Sequence, residues 1–179
     1  MLRVKVEEIK LKPVELIVEE PASGFPALAE VDGSGECEFI APVRVHVTAL
    51  REYDHIRVEG NVASKVRMHC SRCLEPFERD ISSSFTLFYS DKTGIPLDDE
   101  AELTAEDLVS VHYEGDSIDF AGEIEEQLIM DIPYKPLCRE DCLGLCSNCG
   151  ANLNDGECGC GREAPNLKFG VLKNFKVNK

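Results

Sequence analysis

No stretch of the chain approaches the roughly 20 consecutive apolar residues that carry a helix across a bilayer, so an α-helical membrane protein is set aside. The opening residues, MLRVKVEEIK, lack the apolar run of a secretory signal. The expected compartment is therefore the cytoplasm, and no membrane partner is expected. The chain holds no H-E-x-x-H and no phosphate-binding Gly-rich loop, and no Ser/His/Asp set stands out. No small-molecule substrate is evident, and a catalytic role lacks its usual carriers. Positive charge is scarce as well: 19 Lys and Arg stand against 34 Asp and Glu, for a formal net charge of −15. Non-specific attraction to nucleic acid runs on neutralising phosphates, so a basic partner suits this balance at least as well. Between Lys92 and Lys135 there is no Lys or Arg at all, while Asp98, Asp99, Glu100, Glu102, Glu106 and Asp107 crowd together. The acidic segment 98–131 reads either as a solvated face or as a dock for a basic protein.

What the chain has in abundance is cysteine. Six of its nine cysteines fall between Cys138 and Cys160, in CREDCLGLCSNCGANLNDGECGC; Cys70 and Cys73 form a CSRC pair upstream, and Cys37 stands alone. A window this rich in thiols, glycines and asparagines has too few apolar residues for its own core, and the expected fastener is zinc. Tetrahedral zinc takes four soft ligands at about 2.3 Å from one point. In Cys146-x-x-Cys149 the turn brings two sulfurs together and aims backbone N–H groups at them. Gly150 supplies the positive φ expected next, and Gly159 lets Cys158 and Cys160 turn to the same side. Cys146, Cys149, Cys158 and Cys160 are thus one expected foursome. Cys138 and Cys142, at helical spacing, join Cys70 and Cys73 as a second, tying the C-terminal segment to the body, for one or two zinc ions in all. The even spacing of Cys138, Cys142 and Cys146 also permits other groupings. Disulfides fit a reducing cytosol poorly. An iron–sulfur cluster uses the same ligands, and a redox C-x-x-C would need a βαβ setting that neither pair has. Arg72, Arg139 and Arg162 are candidates to offset the negative charge of a four-thiolate centre.

The body reads as strands. From Val43 to Tyr89 apolar residues alternate with polar ones: Val43, Val45, Val47 and Ala49, then Ile56, Val58, Val62, Val66 and Met68, then Phe77, Ile81, Phe85, Leu87 and Tyr89. Period-two alternation predicts long antiparallel strands with one buried face, and it puts Cys70 and Cys73 at the turn between two of them. Arg44, His46, Arg57, Lys65, Arg67 and His69 fall on the outward face and are the candidates for touching RNA phosphates, against the plainer reading that they only solubilise it. His69 is also a possible, less expected, metal ligand. Short strands are expected at residues 3–9, Val14–Val18 and Leu108–Tyr113, with a turn at Glu114 to Asp116. Helices are expected at Ala27–Glu30 and, capped by Asp119, from Phe120 to Met130. Leu167, Val171, Leu172 and Phe175 sit at helical spacing among lysines, so an amphipathic tail is expected to dock on the body.

The expected fold class is α+β: a mainly antiparallel meander able to curl toward a barrel, with one or two helices and a C-terminal zinc-binding segment. The division is a body at 1–137, a Cys-rich segment at 138–163 and a tail at 164–179.

CSRCLEPF after a strand, a helix ending at a proline, GLCSNCGANLN, CGC and the closing APNLKFGVLKNF together resemble the bacterial YceD family, named for accumulation of large-subunit ribosomal RNA. The resemblance runs from about residue 36 onward and is most specific at CSRCLEP and GLCSNCGANLN. It implies a role in making or maintaining that RNA, in assembly of the large subunit, with a ribosomal protein or ribosomal RNA as partner. Members differ in how many C-terminal cysteines they keep, so the metal reading rests on this chain's own spacing. No catalytic residues carry over. The expected function is a non-enzymatic assembly factor with structural zinc; an RNA-processing enzyme and a zinc-storage or redox protein are the alternatives.

Overall fold

The structure, a computed structural model, describes residues 2–53, 55–91 and 110–160. The alternation read from Val43 onward becomes three antiparallel strands, β4 (Val43–Glu52), β5 (His55–His69) and β6 (Pro76–Asp91). Their register runs from Glu52↔His55 back to Arg44↔Ala63, and from His69↔Pro76 back to His55↔Ser90. Ile56, Val58, Val62, Val66 and Met68, all of one parity on β5, are buried, while Glu59, Arg67 and His69 face out. β2 (Val14–Glu20) extends this sheet beyond β4, and β3 (Cys37–Phe39) pairs with the far end of β5. β7 (Ser110–Tyr113) joins β6 in parallel, from Phe88↔Ser110 to Asp91↔Tyr113.

The fold is thus α+β with a mostly antiparallel sheet, but the sheet does not curl into a barrel. Its path ends at β2 on one side and at β7 on the other. The reason lies in what covers the inner face. A second layer occupies it: the ribbon of β1 (Arg3–Lys5) with β8 (Ser117–Asp119), and the helices α1 (Val6–Leu11), α2 (Pro26–Gly33) and α3 (Ala121–Asp131). Leu2, Val4, Ile9, Phe25, Leu28, Ile118, Phe120, Ile124 and Leu128 from this layer meet Val43, Val45, Val47, Ile56, Val58 and Val62 of the sheet in one core. Each large side chain buried there contributes about 1.5–3 kcal/mol, and together they take the space a closing strand would need.

Two local readings change in three dimensions. The alternation at Arg3 ends as strand at Lys5; beyond it Val6 and Ile9 are buried with Glu7, Glu8 and Lys10 exposed, and that spacing is helical. The turn at Glu114 to Asp116 does not make a hairpin, because β7 pairs with β6 and β8 with β1, so the chain changes sheets there. α3 forms as its stripe implies. Asp119 accepts the backbone N–H of Ala121 at 3.1 Å, Phe120, Ile124 and Leu128 are buried, and the helix ends at Asp131, just ahead of Pro133. Residues 98–109 of the acidic segment, the start of the strand expected at Leu108, Arg162 and the expected tail helix lie outside the described residues.

Candidate metal centres

The turn that joins β5 to β6 is built by its own backbone. Cys70 N–H donates to Glu75 O at 2.9 Å and Leu74 N–H donates to Cys70 O at 2.8 Å. The turn at Cys146 to Cys149 repeats this pattern: Cys146 N–H donates to Ala151 O at 2.8 Å and Gly150 N–H to Cys146 O at 2.9 Å. In each knuckle the N–H groups of the third and fourth residues point back at the first sulfur, those of Arg72 and Cys73 at Cys70 and those of Asn148 and Cys149 at Cys146. Gly150 and Gly159 have φ of +74° and +70°, the left-handed backbone that glycine adopts without strain.

Each knuckle meets a second pair of cysteines. Cys70, Cys73, Cys138 and Cys142 come together, with every sulfur within 4.8 Å of the others; Cys146, Cys149, Cys158 and Cys160 form a second group within the same limit. Of the groupings the spacing left open, the folded chain brings together these two. His69 belongs to neither. All nine cysteines are free. In the first group the Cys70–Cys142 and Cys73–Cys138 sulfurs are 3.7 and 3.8 Å apart. A single ion at about 2.3 Å from four tetrahedral sulfurs sets them about 3.8 Å apart, so the donor set fits one such ion. Cys70, Cys73 and Cys142 are buried and, with Phe77, Leu137 and Leu145 against them, form a core of their own; Phe77 also touches the main core. The second group is more open: Cys149 is exposed and the other three are half-buried. These are the inner and the outer foursome.

Four thiols this close cannot all ionise without a cation among them. Burial pushes Cys70 up, but the N–H groups of Cys138, Cys73 and Arg72 outweigh it and bring the thiol down to about 6. Cys146 also falls to about 6, through the N–H groups of Cys149 and Asn148. Their partners absorb the repulsion. Cys138 is pushed up to about 12 by burial and by Cys70, Cys142 and Cys73, and Cys160 to about 12 by Cys149 and Cys158. A divalent ion reverses this, because it favours the thiolate at every position.

The side chains of Arg72 and Arg139 are engaged with oxygens. Arg72 donates to the carbonyls of Glu140 and Cys142, at 3.2 and 2.9 Å, which staples the knuckle to the segment after α3. Arg139 donates to Asn154 Oδ1 at 2.7 Å and pairs with Asp141 at 3.4 Å. Among the described residues, Asn154 reaches a sulfur, its Nδ2 donating to Cys142 Sγ at 3.3 Å. Sequence reasoning missed it; Asn152 and Asn154 read there only as turn formers.

The outward cationic row is met by acids of the same sheet, most of them on neighbouring strands. His46 contacts Glu15 at 2.7 Å, and Lys65 pairs with Glu78 at 2.6 Å. Arg67 pairs with Glu38 at 2.9 Å and Glu78 at 3.3 Å, and Arg57 pairs with Glu52 and Glu59. Arg44 lies opposite Glu19 in the register. His69, exposed at the end of the row, also lines a cleft of about 950 Å³ with Met68, Ser71, Ile129 and Pro136. Among the described residues no helix is long and apolar enough to cross a membrane.

An open sheet bearing two sulfur foursomes, each of which could hold an ion, defines a small α+β protein built on paired cysteine knuckles. The chain belongs to the family of the large ribosomal RNA subunit accumulation protein YceD, whose family model matches residues 58–176. It is similar to the chloroplastic large ribosomal RNA subunit accumulation protein YCED homolog 1 of Arabidopsis thaliana, 30% identical over 156 residues, which is 75% of this chain and 49% of that protein. The Zea mays homolog of the same name is 28% identical over 142 residues, 66% of this chain and 48% of the maize protein. An uncharacterised protein of Mycobacterium tuberculosis is 32% identical over 98 residues, 55% of this chain and 45% of its own length. The chain spans about half the length of the curated relatives it matches. No solved structure matches it.

Proposed function

We propose that this protein is a non-enzymatic factor that supports accumulation of large-subunit ribosomal RNA in the cytoplasm, and that zinc in both foursomes holds it in shape. The observation that carries this reading is closure: four thiolates fill all four tetrahedral positions and leave none for a reacting water. The spacing of the sulfurs supports a single ion per foursome. Around a polynuclear iron–sulfur core the thiolates bind different irons and stand farther apart than 4.8 Å, the limit within which each foursome lies. An ion in the inner foursome fastens residues 138–142 to the tip of the β5–β6 hairpin.

The partner we infer is a basic protein of the large subunit. The net charge of −15 favours it, and the outward row of cations, already paired with glutamates, has little charge left for phosphates. Co-purification from the native host at low salt tests both halves of the reading. Large-subunit ribosomal proteins are expected with the chain, and deletion of the gene is expected to lower large-subunit RNA relative to small-subunit RNA. Unchanged RNA ratios and recovery of no ribosomal component contradict the reading, and metal-dependent RNA cleavage by the purified protein replaces it with an enzyme.

A further inference from the structure

We propose that Asn154 couples the two foursomes, so that an ion in the outer one raises the affinity of the inner one. This rests on the metal reading above and goes beyond it.

Asn154 lies on the connection between Cys149 and Cys158, so its backbone position depends on how the two outer pairs are drawn together. Its side chain points the other way. Nδ2 donates to Cys142 Sγ at 3.3 Å and to Asn152 Oδ1 at 2.7 Å, while Oδ1 accepts from Arg139 Nη2 at 2.7 Å and from Leu143 N–H at 2.9 Å. Both donors and both acceptor sites of the amide are filled. Flipping the amide would turn its N–H groups on two donors, so the network fixes its orientation. Arg139 and Leu143 are the residues that follow Cys138 and Cys142, so one amide holds the Cys142 sulfur, the backbone N–H just after it and the side chain of the residue that follows Cys138. Asn152 Oδ1 also accepts Asn154 N–H at 3.1 Å, and Asn152 forms a β-bridge with Leu145, the residue before Cys146. The path from outer closure to inner ligand therefore runs through two asparagines and no long side chain.

A partner that orients a metal ligand is typically worth about 10–100-fold in metal affinity. Because coupling between two sites is reciprocal, the inner ion tightens the outer one by the same factor. Asn154 is a positioning residue, since the metal does not touch it.

The test uses the full chain loaded with cadmium, whose NMR spectrum gives one signal per foursome, and a competing chelator to measure each affinity. Cys158→Ser with Cys160→Ser, which empties the outer foursome, is expected to weaken the inner affinity about tenfold. Asn154→Ala is expected to weaken it as much, and the combined variant no more than either alone. An inner affinity unchanged by loss of the outer ion, or additive losses in the combined variant, overturns the coupling. Should the serine variant fail to fold, the dependence of inner affinity on outer occupancy in the unaltered chain, absent in Asn154→Ala, decides the matter. Two ions bound independently overturn the coupling alone; uptake of no ion overturns the metal reading with it.

Discussion

Leu74 and Gly150 occupy the same position in two knuckles of one chain. Both have left-handed backbone, φ of 62° and 74°, and both donate their N–H to the carbonyl of the first cysteine of the knuckle. Glycine adopts that backbone freely, whereas an L side chain pays about 1–2 kcal/mol for it. Leu74 gains little in return, since it is 62% exposed. Leu74→Gly is therefore expected to leave stability unchanged or raise it by up to about 1 kcal/mol, and Gly150→Leu to weaken ion retention in the outer foursome. Thermal unfolding and chelator challenge check the pair; a clear loss in Leu74→Gly would mean that the leucine makes a contact the strain serves.

The ring of Phe85 lies over Gly60, its cross-strand partner. A Cβ on residue 60 would stand 2.2 Å from Phe85 Cζ. Gly60→Ala is expected to cost about 1–3 kcal/mol by overpacking, and much less in a Phe85→Leu background. Urea unfolding of the four proteins of that cycle measures it; equal losses in both backgrounds contradict the account.

Glu125, 7% exposed on α3, accepts the backbone N–H of Ala27 in the first turn of α2, a helix with no side-chain cap of its own. A carboxylate at a helix N-terminus satisfies an orphan donor and the positive end of the dipole. Glu125→Ala is expected to lose about 1–2 kcal/mol, and Glu125→Gln to keep part of that, by denaturant unfolding. Equal stability of Glu125→Ala and the parent contradicts the capping role.

Metal uptake is expected to depend on pH. In the metal-free chain Cys70 and Cys146, near 6, are thiolates at neutral pH, whereas Cys138 and Cys160, both near 12, hold their protons. An ion bound by all four sulfurs displaces those protons, so affinity rises as pH rises and falls on acidification. Calorimetry in buffers of different ionisation enthalpy is expected to show at least one proton released per ion. No proton release contradicts four-thiolate ligation.

Much of this architecture was legible in the sequence, because its causes are local. Period-two burial gave β4, β5 and β6, and the C-x-x-C turns with Gly150 and Gly159 gave the knuckles. What was not legible depends on distant partners. β7 settles parallel to β6 and β8 pairs with β1 through contacts that no local pattern encodes. The outward cations read as free charges until the folded sheet paired Lys65 with Glu78 and Arg67 with Glu38. Arg72 read only as a counter-charge for sulfur, and the fold adds a staple, its guanidinium joining the knuckle to the carbonyls of Glu140 and Cys142.

Everything above rests on two closed sulfur cages, each around one zinc ion, the inner one fixing the C-terminal segment to the sheet and the outer one closing that segment on itself. Elemental analysis of freshly purified protein, with thiols counted before and after chelation and unfolding, tests it most directly. Two zinc ions per chain are expected, with eight thiols released by chelation and unfolding together and buried Cys37 as the one thiol that never held metal. A folded chain without metal, its thiols free or joined in disulfides, would contradict it.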